Sequence, residues 1–127
     1  MEAIPVEFAE LYEEAKKLIK SDSSAQQVLV ALTSKLQMYH FTNHDIMSAD
    51  ITEEETFIKM LMDKNDAEVK YMVCMWDNFM LDVPSQHFRS RLTQINPLNG
   101  NTRILLQGNE TWTTKELIKT VSNTGSV

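Results

Sequence analysis

Cysteine, glycine and proline are scarce in this chain of 127 residues, which has one cysteine, three glycines and three prolines. A single cysteine excludes an internal disulfide framework and fits a reducing compartment. No apolar run approaches the roughly 20 residues of a membrane-spanning helix, and no basic segment followed by an apolar one stands at the N-terminus. The glycines form neither a G-x-G-x-x-G pattern nor a phosphate-binding loop. We therefore expect a cytoplasmic protein with no membrane segment and no nucleotide-binding loop.

Acidic side chains outnumber basic ones, and the excess lies in the first half. Residues 1–66 carry 13 acidic and 6 basic side chains, whereas residues 67–127 carry 5 and 6. Most of such a surface repels phosphate, so the charge argues against nucleic acid as a partner. The length predicts a single globular domain over residues 1–127, with residues 120–127 as a frayed polar tail.

The most informative stretch is an apolar segment that predicts one β-hairpin over about residues 68–83. Two runs rich in Val, Tyr, Met, Trp and Phe flank Asp77-Asn78, a pair that tolerates positive φ. A two-residue loop would place Cys74 opposite Leu81. Apolar residues fall on both faces of the strands, so both faces are expected to be covered. The second cover is either the chain's own helices or another molecule.

Apolar periodicity and capping patterns predict helices on both sides of this hairpin. Residues 5–20 carry an apolar stripe at spacings of three and four. Ser24 and Gln27 have the spacing of a capping box, which predicts a second helix to about Tyr39, packed on the first as a helical hairpin. Further helices are predicted from Thr52 for about ten residues, from Gln86 to Ile95 with Ser85 as its cap, and from Thr113, which forms a capping-box pattern with Glu116. Loops are predicted over 40–51 and 96–101, and a strand over 103–107. This order predicts an α+β fold, in which helices pack on a small, mainly antiparallel, three-stranded sheet.

Cys74 and His87 are the cysteine–histidine combination that bears on catalysis. A nucleophilic cysteine needs a lowered pKa and a base within hydrogen-bond reach. Cys74 lies within a predicted strand between apolar neighbours, where burial raises the pKa of a thiol. The plainer interpretation is a buried structural thiol. The pair nevertheless supports an alternative function, a small enzyme of acyl or thiol transfer.

His40 and His44 are the candidates for a metal site. Their i,i+4 spacing would place two imidazoles on one face of a helix, and carboxylates follow. There is no His-Glu-x-x-His pattern and no calcium-binding loop. Glu53 and Glu54 fall at a predicted helix start, where the helix dipole favours negative charge. We therefore expect no metal and no other cofactor.

Methionine is concentrated around the hairpin, with five of the eight methionines between residues 60 and 80. Methionine is common at adaptable binding surfaces, and aromatic residues anchor interfaces. The leading hypothesis is therefore a non-catalytic protein-interaction module: a homodimer, or an inhibitor, immunity protein or adaptor. The expected contacts with a protein partner or a second copy are Met75, Trp76, Phe79 and Met80, with Glu53, Glu54 and Glu55 supplying complementary charge.

A winged-helix DNA-binding protein is the second alternative. Three predicted helices precede the hairpin, as that architecture requires. The would-be recognition helix contains Glu53, Glu54 and Glu55, which oppose contact with phosphate, so this alternative ranks last.

Overall fold

The fold is a mixed α/β arrangement, described by a computed structural model for residues 4–46 and 51–117. The strands form a six-stranded sheet in the order β2-β1-β3-β5-β6, and β4 pairs with β3 outside this path. β3 and β5 run parallel, and the other pairs are antiparallel. The helices are α1 (Ala9–Ser21), α2 (Thr52–Asp63) and α3 (Gln86–Ile95), with 3-10 turns at Val6–Phe8, Pro97–Asn101 and Gln107–Asn109. The strands are β1 (Gln27–Thr33), β2 (Met38–Asn43), β3 (Val69–Trp76), β4 (Leu81–Asp82), β5 (Arg103–Leu105) and β6 (Thr111–Thr113).

Helices lie on both faces of this sheet. On one face, α1 packs against β1, β3 and β5 in a cluster that includes Leu11, Val30 and Met75. On the other face, α2 and α3 pack in a cluster that includes Ile58 and Leu92. The expectation that both faces of the apolar strands are covered is therefore confirmed, and the covering elements are the chain's own helices.

The predicted helix from Ser24 to Tyr39 is wrong, because this segment forms the strands β1 and β2. β1 lies at the centre of the sheet, and residues 28–31 are all buried. A strand covered on both faces is continuously apolar, and such a run also fits a buried helix. The predicted helical hairpin is absent, and so is the set of three helices before the hairpin that suggested a winged-helix protein.

The three-stranded sheet and the two-residue hairpin loop are also corrected. Trp76 N–H donates to the carbonyl of Met80 at 2.9 Å, so three residues form the loop. The third of them, Phe79, has φ of +69°, as three-residue loops require at that position. This loop shifts the register by one residue, so that Cys74 faces Asp82 rather than Leu81.

The amphipathic helices agree with the sequence. The helix predicted over residues 5–20 is present as a 3-10 turn followed by α1, and α3 has the predicted bounds. The capping box at the last predicted helix is formed, because Thr113 Oγ1 accepts from Glu116 N–H at 3.1 Å. Residues 114–117 are helical, and the rest of that helix and the tail lie outside the described residues. None of the helices in the described ranges is long and apolar enough to cross a membrane.

Candidate functional site

The candidate site lies at the edge of the sheet where β1 begins and β2 and β3 end. Gln27, Asn43 and Trp76 are in register there across the three strands. In open α/β sheets, ligands bind outside the carboxyl ends of strands. A cavity of about 40 Å³ opens at this edge, enough for an ordered water. Its lining residues are Gln27, Leu29, Phe41, Asn43, Ile46, Glu54, Pro84, Ser85 and Phe88.

A direct hydrogen bond joins the first turn of α2 to the start of α3 in the wall of this cavity. Ser85 Oγ donates to Glu54 Oε2 at 2.5 Å. Ser85 Oγ also accepts from Phe88 N–H at 3.1 Å, which makes Ser85 the N-cap of α3. Helix N-termini favour negative charge, so the carboxylate of Glu54 lies where both helix dipoles stabilise it.

A second polar pair lines the same cavity from the strand side. Asn43 Nδ2 donates to Gln27 Oε1 at 3.3 Å. The cavity therefore has a carboxylate, a hydroxyl and two amides in its walls. A buried water needs two to four polar partners, and these groups supply them.

Arg89 anchors the segment that leads into α3. Its side chain is buried, with 5% of its surface exposed, and its Nε donates to the carbonyl of Pro84 at 3.0 Å. Burial lowers the pKa of the guanidinium. The contact holds Pro84, and with it the neighbouring Ser85, against the body of α3.

A charged cluster lies beside the cavity, between the exposed faces of α2 and α3. Arg91 Nε donates to both carboxylate oxygens of Glu55, at 3.0 and 3.3 Å. His87 Nε2 lies 2.7 Å from Glu55 Oε2. Both contacts lower the pKa of the Glu55 carboxyl, and the contact with Arg91 contributes more than the contact with His87. The cluster is a second link between the two helices that carry Glu54 and Ser85.

The order of these two contributions predicts the effect of removing each partner. We expect Arg91→Met to raise the pKa of Glu55 further toward its usual 4.5 than His87→Gln does. Because the pKa is lowered in the folded state, the stabilisation is present above pH 4.5 and is lost as the pH falls through the folded value. Carboxyl-carbon NMR titrations of the two variants measure the shifts. A larger rise in the His87→Gln variant would reverse the assigned order.

The cysteine–histidine pair is not brought together as a site. Cys74 is completely buried in β3, and this burial strongly raises the pKa of its thiol. His87 pairs with Glu55 instead. A buried thiol held in its neutral form is a poor nucleophile. Cys74 therefore has a structural role and is not placed to act in acyl or thiol transfer.

The two histidines considered for a metal lie along a strand and its end rather than on a helix. His40 lies in β2 and His44 follows its last residue, so the helical turn that would bring the two imidazoles together is not formed. His44 Nε2 instead lies 2.7 Å from Asp22 Oδ2. Within residues 4–46 and 51–117, no three His, Cys, Asp or Glu side chains are grouped to hold a metal ion.

The predicted interaction residues do not form one surface. Met75 is completely buried under α1, so it is not available to a partner. Trp76 is half-buried and donates from Nε1 to Asp82, whereas Phe79 and Met80 are exposed at the hairpin turn. The three predicted acidic contacts lie elsewhere, in the first turn of α2, where two of them bond α3.

Sequence patterns missed the strand side of the site. Gln27 and Asn43 fall in the segment wrongly predicted as helix and loop, and Ser85 was predicted as a cap alone. The signal that could have found the site is the order of elements along the chain, in which the apolar strand β3 lies between α2 and α3. The start of α2 carries three glutamates, and Pro84 and Ser85 precede α3. Strand ends and helix starts meet at one edge in α/β sheets.

The comparisons with known proteins identify the fold. No family model matches the chain, and no curated protein matches it in sequence. Among solved structures, cytidine deaminase from Mycobacterium leprae superposes with a TM-score of 0.68 at 14% identity, covering 90% of this chain and 98% of that one. A mutant cytidine deaminase from Mycobacterium tuberculosis gives 0.67 at 12%, covering 89% and 95%. Cytidine deaminase from Burkholderia pseudomallei gives 0.58 at 15%, covering 85% and 94%.

These likenesses correct the leading hypothesis. The prediction of a non-catalytic interaction module is contradicted, because the solved structures that share this fold are enzymes. They favour the alternative, a small enzyme, although not through Cys74. Self-association or a protein partner stays a prediction. The chain has a mixed α/β fold that resembles that of the cytidine deaminases.

Proposed function

We propose that this protein binds a cytidine-like ligand and removes its amino group by hydrolysis at the cavity between α2 and α3, with Glu54 as the general base. The observation that carries the proposal is the carboxylate of Glu54 in the wall of a water-sized cavity, fixed by Ser85 at 2.5 Å. The ligand class comes from the cytidine deaminases that the fold resembles. The edge of the sheet supports it as the usual place for a ligand.

The geometry supports a simple division of roles. One oxygen of Glu54 accepts from Ser85, and among the described residues the other, Oε1, has no partner that would keep a water away. A water in the cavity would donate to that oxygen and attack the C4 carbon of the pyrimidine ring. The proton taken by Glu54 then passes to the departing amine, so that ammonia leaves and a uracil-type product remains.

The small volume of the cavity limits how a ligand can bind. Its volume of about 40 Å³ holds water, whereas ligand pockets commonly measure about 300–1,000 Å³. A nucleoside therefore has to open the apolar part of the wall, which includes Phe41 and Ile46. We expect weak binding, because part of the interaction energy goes into this rearrangement.

The side chains at this site do not fit a zinc ion. Zinc-dependent base deaminases hold the metal with a His/Cys/Cys or Cys₃ set, and their glutamate acts beside it. The cavity described here offers a hydroxyl, amides and one carboxylate, and the single cysteine of the chain is buried in β3. No step of the proposed reaction passes through a metal, and turnover should be slow because the carboxylate alone activates the water.

The test follows both binding and conversion of cytidine. Isothermal calorimetry measures binding, and chromatography of nucleosides and free ammonia measures conversion, with the protein freed of metal by chelation. We expect Glu54→Gln to keep binding and to reduce conversion by about 10²- to 10⁴-fold, the usual contribution of a general base. Glu53→Gln removes the same charge from an exposed position on the same turn and serves as the matched control.

Two outcomes would reject the proposal. One is no binding of cytidine or cytosine at millimolar concentration. The other is conversion that Glu53→Gln and Glu54→Gln reduce equally, because the carboxylate in the cavity would then have no special role.

A further inference from the structure

We infer that the hydrogen bond between Glu54 and Ser85, together with the ring of Phe88, takes the place of a metal ion at this site, so that α2 and α3 are joined without zinc. The inference does not depend on which ligand the cavity accepts. It concerns what holds the starts of the two helices together. It is argued from the side chains at those starts.

The start of α3 has the spacing of a metal site without its ligands. The zinc-deaminase signature has a P-C-x-x-C segment and a separate H-x-E segment. Residues 84–88 read Pro-Ser-Gln-His-Phe, which places Ser85 and Phe88 where the two cysteines of such a segment stand. A neutral hydroxyl and a phenyl ring replace two thiolates, and zinc in proteins takes thiolate, imidazole or carboxylate ligands.

The start of α2 departs from the signature in the same way. Glu54 contacts Ser85, as the glutamate beside such a site should, and the residue two positions before it is Thr52 rather than histidine. No H-x-E or C-x-E sequence occurs anywhere in the 127 residues. All three ligand positions are therefore changed, and the glutamate alone is kept.

Direct contacts replace the metal as the link between the helices. Glu54 and Ser85 are 31 residues apart in sequence, and their hydrogen bond joins the first turn of α2 to the cap of α3. The cluster of Glu55, His87 and Arg91 adds contacts at 2.7 and 3.0 Å on the outer side. Side chains of the chain itself make both links, so no cation is needed to bridge the two helices.

The ring of Phe88 fills the remaining space. It is 1% exposed, and its centroid lies 5.4 Å from that of Phe41 and 5.9 Å from that of Phe57. A packed aromatic ring excludes both an ion and the waters that would complete its coordination. The apolar core thus extends to the position where a second thiolate would otherwise stand.

The first test measures zinc in the unaltered protein. The chain is produced in zinc-supplemented medium, dialysed, and analysed by plasma mass spectrometry and by competition with a chromogenic chelator. We expect less than about 0.1 zinc ion per chain, and a melting temperature that chelator or added zinc shifts by less than about 1 °C. Stoichiometric zinc, or a melting temperature that falls on chelation, would overturn the inference.

The second test restores the ligands at the inferred place. The triple variant Thr52→His, Ser85→Cys, Phe88→Cys has three ligands in the signature arrangement, and Ser85→Cys alone is the matched control with one new thiol. We expect the triple variant to bind about one zinc ion per chain and to melt about 5 °C or more higher with zinc than without it. The single variant should bind none.

The outcomes separate the two parts of the inference from the proposed function. A folded triple variant that stays free of zinc would overturn the assignment of the place. If the triple variant does not fold even with zinc, the zinc content and chelator response of the unaltered protein decide. Cytidine conversion is measured separately, so failure of the substrate proposal leaves these readouts unaffected.

Discussion

Asn99→Ala is expected to lower the free energy of unfolding by about 3 to 5 kcal/mol, because three side-chain hydrogen bonds to the backbone are lost and the buried Val69 N–H is left without its acceptor. Asn99 is completely buried. Its Oδ1 accepts from Val69 N–H at 2.8 Å, and its Nδ2 donates to the carbonyls of Ala67 and Leu92 at 2.8 and 2.9 Å. One side chain therefore ties the start of β3 to the end of α3. Urea unfolding, followed by circular dichroism, measures the loss.

Asn101→Ala is the matched control for this substitution. Asn101 lies in the same 3-10 turn with its side chain exposed, so its loss should change stability by no more than about 0.5 kcal/mol. Equal effects from the two substitutions would show that the turn, and not the buried amide, carries the stability. A loss below about 1 kcal/mol for Asn99→Ala would mean that water replaces the amide at its three partners.

Helices were predictable where one face is buried and the other is wet. The stripe of α1 and the cap of α3 are local patterns, and Ser85 caps α3 as predicted. Local patterns suffice there because the periodicity of a surface helix directly reflects the side that packs on the sheet. The same reasoning placed the hairpin, although its loop has one residue more than predicted.

The first two strands were not predictable from the same patterns. β1 is buried from both sides, so its residues show no alternation between apolar and polar. Three of its positions, Val28, Leu29 and Leu32, also fit a helical stripe, and the capping-box spacing of Ser24 and Gln27 favoured the helix. In the structure, Ser24 instead bonds Asp22. Burial by helices on both sides of the sheet favours a strand here. That burial depends on segments distant in the sequence, so local patterns do not show it.

The site depends on contacts between residues far apart in the chain. Glu54 was predicted as a charged contact for a protein partner and Ser85 as a helix cap, each from its own neighbourhood in the sequence. Their contact spans 31 residues and arises because both helices start at one edge of the sheet. The missing metal ligands, in contrast, are visible in the sequence, because a chain with one cysteine has no P-C-x-x-C segment.

Fold and chemistry are separable in this chain. The resemblance to cytidine deaminases rests on the arrangement of buried strands and helices at 12–15% identity. A fold can host different chemistry when a few side chains at its site change. The proposed site lies at the starts of α2 and α3, so the variants at Glu54 and Ser85 are the most direct probes of the proposed function.

Phe88→Ala is expected to destabilise the protein by about 3 to 5 kcal/mol, the usual cost of removing a buried aromatic ring and leaving a cavity. Phe88 is 1% exposed and belongs to a group of three rings with Phe41 and Phe57, whose own centroids lie 4.9 Å apart. The three rings come from α3, β2 and α2, so the group joins three elements around the site. Urea unfolding measures the change in the free energy of unfolding.

Two substitutions control for the size and the place of the ring. Phe79→Ala removes a ring that is 38% exposed in the hairpin turn, and we expect a loss of no more than about 1 kcal/mol. Phe88→Leu keeps an apolar side chain at the site and should cost about 1 to 2 kcal/mol. If Phe88→Ala costs no more than Phe79→Ala, the ring does not fill the space beside Ser85. That space would then be open to a ligand, and the inference that the core has replaced the metal would lose its main physical support.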